Sequence, residues 1–213
     1  MKKNYVSNAE DSIKLFSNSL LDSLSKVHFT VPLYIFIPAI LFFCYRSFSL
    51  GITAGGFALY FLLGLLVWTV TEYLLHRFIF HYHPTSEIGK KLHFIFHGVH
   101  HDYPRDKKRL VMPPSASIPL ATLFYFLFSL LLDKTMLFAF FPGFLLGYLV
   151  YDMMHYAMHH HNFKHPVLKK IKQHHMLHHY QDPSKGYGVS SSLWDFILQS
   201  DFTRQSKKQD AAK

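Results

Sequence analysis

The chain has 213 residues, room for one domain; half are apolar and 16% charged, with 22 Phe and 13 Tyr. That is too apolar for an ordinary soluble domain and too broken by charge to be only a bundle of membrane spans. The single cysteine, Cys44, excludes an intrachain disulfide framework and a cysteine zinc site, and the net charge of +9 counts histidine as neutral, the form a metal ligand takes.

Residues 11–27 place Ile13, Phe16, Leu20, Leu24 and Val27 at helical spacing with polar residues opposite. This predicts a helix lying in a membrane interface. No secretory signal pattern with a small-residue cleavage site opens the sequence, so the N-terminus is expected to be retained. Two apolar runs follow, VPLYIFIPAILFFCY (31–45) and GGFALYFLLGLLVWTVTEYLLH (55–76). The first is short, but its flanks extend it to the roughly 20 residues a bilayer needs. A second pair comes later, SIPLATLFYFLFSLLL (117–132) and MLFAFFPGFLLGYLVYDMMH (136–155). Tight connections at Arg46 and at Asp133-Lys134 make each pair a hairpin. The expected fold is an all-α integral membrane protein: four transmembrane helices in two hairpins, with a helical cytoplasmic cap. In domain terms, 1–30 is an interfacial segment and 201–213 a polar tail. Between them, 31–200 is the membrane domain, with 76–114 and 155–200 forming the cap.

Lysine and arginine set the orientation. Four lie before the first span, seven between 77 and 109, and nine from Lys164 onward, against one at each hairpin tip, Arg46 and Lys134. Both termini and the cap are therefore expected on the cytoplasmic face, of a bacterial inner membrane or of the endoplasmic reticulum. The same asymmetry explains the basic charge without nucleic acid.

Of 17 histidines, all but His28 fall between 76 and 179. His76 and His81 stand five apart; His97, His100 and His101 read H-x-x-H-H, a spacing repeated by His175, His178 and His179; His155 and His159 are i and i+4. Positions i, i+3 and i+4 share one helix stripe, so each cluster aims its imidazoles at one point. Ten such nitrogens exceed the roughly four that one zinc takes and make a two-metal inventory. Imidazole suits zinc, copper, iron and nickel alike, so the ligands do not name the metal. Isolated His28, His83 and His165 read as surface residues, while His93, His160, His161 and His174 read as support or surface. No H-E-x-x-H motif and no Glu-x-x-His pair accompanies them. The spans carry no histidine or carboxylate at their centres, only at their cytoplasmic ends, which argues against a metal transporter.

With these clusters, the stretches HGVHHDYPRDKKRLVMPP (97–114), YDMMHYAMHH (151–160) and HHYQDPSKGYGVSSSLWDFIL (178–198) resemble the membrane fatty acid hydroxylase superfamily. Within it they are most similar to fatty acid and ceramide 2-hydroxylases. The likeness covers about residues 70–200. It implies metal ligation by His76, His81, His97, His100, His101, His155, His159, His175, His178 and His179. It also implies two iron ions in turnover, replaceable by zinc in isolated protein, with O2 as co-substrate and a long-chain acyl lipid as substrate. Many such eukaryotic enzymes begin with a fused cytochrome b5 domain. Only about 30 residues precede the first span here, so a separate electron donor of cytochrome b5 or ferredoxin type is expected. A sterol-type oxidase or a desaturase on the same scaffold remains open, because the histidine clusters do not distinguish these reactions.

Tyr151 and Asp152 lie one turn before His155, where the polar end of a lipid would sit. They are candidates to bind the acyl carbonyl region, or else to support a ligand imidazole. Glu72, one turn before His76, reads as such support. Gly186 and Gly188 read as turn residues, and Pro113-Pro114 as the end of an irregular loop.

Overall fold

Apolar runs bounded by Pro, Gly and Ser become helices, and among the described residues of the computed structural model, 6, 7 and 9–202, every regular element is helical. In chain order these are α1 (Ser19–Leu24), α2 (Val31–Ser49), α3 (Ala54–Leu74), the π-helix π1 (Leu75–Phe80) and α4 (Glu87–His93). A second π-helix, π2 (Phe94–Gly98), leads into α5 (Val99–Asp102). Then come α6 (Pro114–Ser129), α7 (Lys134–His160), α8 (Pro166–Tyr180) and α9 (Leu193–Ile197). The chain divides into two compact units, one of 10–69 and 106–156, the other of 70–105 and 157–202 with a few N-terminal residues.

In the first unit α7 is the central helix. Its apolar residues Leu137 to Leu145 are nearly all buried, whereas α2 and α3 expose Tyr34, Leu41, Leu59 and Leu62. Ring contacts set the directions. Phe128 meets Phe140 and Phe124 meets Phe144, so α6 runs antiparallel to α7. Phe43 meets Phe138 and Phe36 meets Tyr148, so α2 is antiparallel to it too. Phe61 lies against Gly143 and Trp68 against Tyr148, so α3 runs parallel to α7. Glycine permits the last approach: a Cβ on Gly143 would lie 2.0 Å from the Phe61 carbonyl oxygen. Small residues of this kind let apolar helices pack backbone to backbone.

Three helical stretches among the described residues are long and apolar enough to cross a bilayer: Val31–Ser49, Ala54–Phe80 and Lys134–His160. The fourth expected span, α6, has 16 residues. At 1.5 Å per residue it measures about 24 Å, short of a hydrocarbon core of about 30 Å.

The N-terminal segment departs from expectation. Instead of a helix over 11–27, only Ser19–Leu24 is helical, started by Asn18, whose side chain accepts from the Leu20 and Leu21 amides. A buried arginine overrides the periodicity. The Arg109 guanidinium donates to Asp22 Oδ1 (3.0 Å), the Ile13 carbonyl (2.6 Å) and Ser25 Oγ (2.6 Å). Asp22 in turn accepts from the Leu15 and Phe16 amides, and Lys26 pairs with its other oxygen. These bonds draw 13–16 into a wrap around Asp22, and helical backbone there would leave the guanidinium without the Ile13 carbonyl. Residues 1–5 and the tail from 203 lie outside the described residues.

Candidate metal centre

His76 and His81 are five residues apart, a spacing that an α-helix points about 140° apart at 3.6 residues per turn. The chain solves this with π1. The His81 amide donates to the His76 carbonyl at 3.1 Å, an i to i+5 bond, and both imidazoles then face one way. A second π-turn, π2, delivers His97 in the same manner just before His100 and His101 on α5. The fifteen-residue α8 presents His175, His178 and His179 from one stripe.

All ten expected ligands fall into two sets of five. His76, His81, His97, His101 and His178 form the first, each offering a nitrogen within 4.8 Å of the others. His100, His159, His175 and His179 gather in the second, and His155, one turn before His159 on α7, completes it. The sets adjoin: the His101 and His179 rings stack with centroids 4.2 Å apart. Within the first set His97 Nε2 stands 2.9 Å from both His81 Nε2 and His101 Nε2. Within the second, His159 and His175 stand 2.9 Å apart and His100 and His179 3.0 Å, again Nε2 to Nε2.

Metal fits these sets better than hydrogen bonding does. With metal–nitrogen bonds of about 2.0–2.1 Å, neighbouring ligand nitrogens come to about 3 Å. His178 Nε2 and His179 Nδ1 are buried without a hydrogen-bond partner, a state that costs free energy unless something else takes the lone pair. Two carbonyls fix the tautomers of the first set. His76 Nδ1–H donates to the Tyr187 carbonyl (2.5 Å) and His178 Nδ1–H to the Lys185 carbonyl (2.6 Å), which puts each ring's lone pair on Nε2. Burial keeps the rings neutral. It pushes His178 down to about 4 and, with the His178 and His101 imidazoles beside it, His81 to about 2. His97 and His179 are held well below the usual range for the same reason. Neutral imidazole is the ligating form.

The segment 185–190 that supplies those carbonyls is itself held by two buried carboxylates. Asp195 Oδ1 accepts from the Tyr187 amide (2.9 Å) and Ser200 Oγ (2.7 Å); its Oδ2 accepts from the Gly188 amide (2.7 Å) and His174 Nε2 (3.0 Å). Glu72 Oε1 accepts from the Val189 and Ser190 amides, both at 2.8 Å, and its Oε2 from the Ser190 hydroxyl. Gly186 turns at φ +71°, in the left-handed region that glycine favours. At Gly188 a Cβ would stand 2.0 Å from the Ser191 carbonyl oxygen and 2.9 Å from Asp195 Oδ2.

Asp195 is the residue that sequence reasoning missed. It lies within the 178–198 stretch but at no helical spacing from its histidines, and its partners stand from 5 to 21 residues away. Glu72 supports the site, though by way of backbone amides among its hydrogen bonds rather than by its nearness in sequence to His76. Asp152, fully buried, accepts from the Met112 amide and the Tyr148 hydroxyl, both at 3.1 Å, and so ties α7 to the segment before α6. Tyr151 lies next to it, its ring 5.8 Å from those of Trp68 and His155.

A family model described as fatty acid hydroxylase matches residues 61–200. The chain is 37% identical over 81% of its length to the dihydroceramide fatty acyl 2-hydroxylase of Arabidopsis thaliana, spanning 72% of that protein. It is 36% identical over 87% of its length to the fatty acid 2-hydroxylase of Rattus norvegicus, and 38% identical over 95% to the ceramide very long chain fatty acid hydroxylase of Schizosaccharomyces pombe. The chain spans only 56% and 59% of those two proteins. A solved structure of full-length scs7p, with only the hydroxylase domain visible, superposes with a TM-score of 0.83 at 36% identity, covering 88% of this chain and 71% of that one. Both histidine sets lie within the matched region, and the chain belongs to the fatty acid hydroxylase family.

Proposed function

We propose that this chain hydroxylates C2 of a long fatty acyl group, free or within a ceramide, using O2 and two iron ions held by the ten histidines. The observation that carries the reading is the pair of adjoining all-histidine sets, five nitrogens each, in a chain alike over most of its length to enzymes named as fatty acyl 2-hydroxylases. One oxygen atom becomes the hydroxyl and the other leaves as water, so each turnover takes two electrons and two protons from a donor. That donor is a redox protein of cytochrome b5 or ferredoxin type, suited to the basic residues of 77–109 and the C-terminal region.

The bound metals supply the O2 chemistry that no side chain provides. The chain's own residues do the placing. Ten neutral imidazoles hold the ions, and the buried Tyr187 ring, within 6 Å of the His76, His81 and His178 rings, closes one side against water. Tyr151 and Asp152 stand where the polar end of the acyl group is received, and a lipid so anchored presents C2 before any mid-chain carbon.

The membrane arrangement belongs to the same proposal: four spans in two hairpins, both tips on one side, termini and metal sites on the cytoplasmic side. The antiparallel order of α6 and α7 and the parallel order of α3 and α7 support it, since parallel α3 and α7 carry both histidine-bearing ends to the same side. The test is product analysis with chain-deuterated acyl lipid, supplied reductant and labelled O2. Loss of deuterium from C2 alone, with label in the new hydroxyl, is expected. A double bond or a mid-chain alcohol overturns the reading in favour of a desaturase.

A further inference from the structure

Two metal sites built from the same ligand type need not be supported alike. In the first set, two ligands have their Nδ1 atoms fixed by main-chain carbonyls, Tyr187 for His76 and Lys185 for His178. Both carbonyls belong to one short segment without helix or strand. Such a segment has no ladder of its own, so its backbone amides need other acceptors. Asp195 takes two of them and Glu72 the next two, all in succession from Tyr187 to Ser190.

We propose that Asp195 and Glu72 are positioning residues for one metal site only, that of His76, His81, His97, His101 and His178. They hold 185–190 in the one shape that points the Tyr187 and Lys185 carbonyls at the imidazoles. This rests on the two-metal reading above.

Asp195 has a particular demand on its chemistry. Each oxygen faces an N–H as well as a second donor, Tyr187 and Ser200 at one, Gly188 and His174 at the other. A carboxylate satisfies both ends because it only accepts. An amide turns one end into a donor, which then confronts a backbone N–H whichever way it is placed. The side chain is fully buried, so water does not repair the mismatch. His174 precedes His175 of the second set, but its ring points to Asp195, and His175 is placed by the continuous backbone of α8.

The experiment is zinc binding by purified full-length chain in detergent, read by competition with a chromophoric chelator, alongside the visible spectrum of the cobalt(II)-loaded protein. Wild type is expected to bind two equivalents, and His178→Ala identifies the one that belongs to the first set. Asp195→Asn should weaken that equivalent by about 10–100-fold, the usual cost of losing support behind a metal ligand. The other equivalent should keep its affinity and its share of the cobalt absorption, an internal sign that the fold is intact. Ser200→Ala removes one of the four donors and should shift the same equivalent by less. Unchanged affinities in Asp195→Asn, or a joint fall of both equivalents in folded protein, overturn the proposal. If Asp195→Asn does not fold, Ser200→Ala decides, and an unmoved first equivalent there overturns it. Wild type binding one equivalent or none sinks the two-metal reading instead.

Discussion

Two carbonyl oxygens choose which nitrogen of His76 and of His178 carries the proton, and that choice sets which nitrogen could meet a metal. Truncating one ligand therefore removes a donor that no water replaces in a buried site. His178→Ala and His100→Ala should each lose about one metal equivalent and all measurable hydroxylation, with metal analysis and product assay read on the same preparation. His165, exposed at the start of α8 with no side-chain capping bond, is the control, and His165→Ala should match wild type in both. Retained activity in both ligand variants would strike them from the ligand set. The gathering of these ten histidines into two sets was legible in the sequence because the helical spacing repeats from cluster to cluster. The supports behind them were not. A carboxylate that bonds amides eight residues away, or more than a hundred in the case of Glu72, leaves no periodic trace.

At the scale of elements, phase decides which side chains face the site. The i to i+5 turn of π1 behaves as an α-helix carrying one extra residue. Deleting Phe78, which is more than half exposed, converts His76 and His81 to an i, i+4 pair that an α-helix holds on one face. Two metal equivalents should survive that deletion. Inserting alanine at the same place rotates His81 by about 100° relative to His76 and should cost the first-set metal. The opposite pattern would mean that π1 itself, not the facing it produces, is required. The sequence shows the five-residue interval but not how the backbone absorbs it, since π geometry has no composition signal. Asp22 is a similar case: the apolar spacing over 11–27 was visible, and the buried Arg109 partner that interrupts it was 87 residues distant. Helix contacts are more exacting still. Gly143 sits against the Phe61 backbone, so Gly143→Leu must push α3 from α7. Overpacking of that kind costs about 1–3 kcal/mol or more, to be read as a lowered thermal midpoint in detergent with metal stoichiometry measured beside it. An unchanged midpoint would show that the two helices separate freely there.

For the whole molecule the question is which way the sites face. Twenty lysines and arginines lie outside the hairpin tips and two at them, a bias that by itself orients short loops toward the cytoplasm. The direction of the helices agrees independently: α3 and α7 run in parallel, α3 leading directly into π1 with His76 and α7 carrying His155 and His159 in its last turns. Cys44 is the chain's only cysteine, so Cys44→Ser provides a background for single-cysteine labelling. Its place within α2 makes serine a small change in volume, and activity of that background should be close to wild type. Cysteines placed at Lys91 and at Lys170, exposed positions in the two histidine-bearing regions, should react with a membrane-impermeant maleimide only after the membrane is opened. Cysteines at Gly51 and at Lys134, in the two tips, should react in intact cells or in sealed vesicles of matching orientation. The short α6 makes the Lys134 position the most exposing of the four. If 16 residues enter the bilayer without crossing it, Lys134 would label on the same side as Lys91. That result would leave three spans and put the two tips on opposite faces, contrary to the parallel course of α3 and α7. Labelling of Gly51 and Lys134 together, apart from Lys91 and Lys170, is the outcome that the charge bias and the helix directions jointly require.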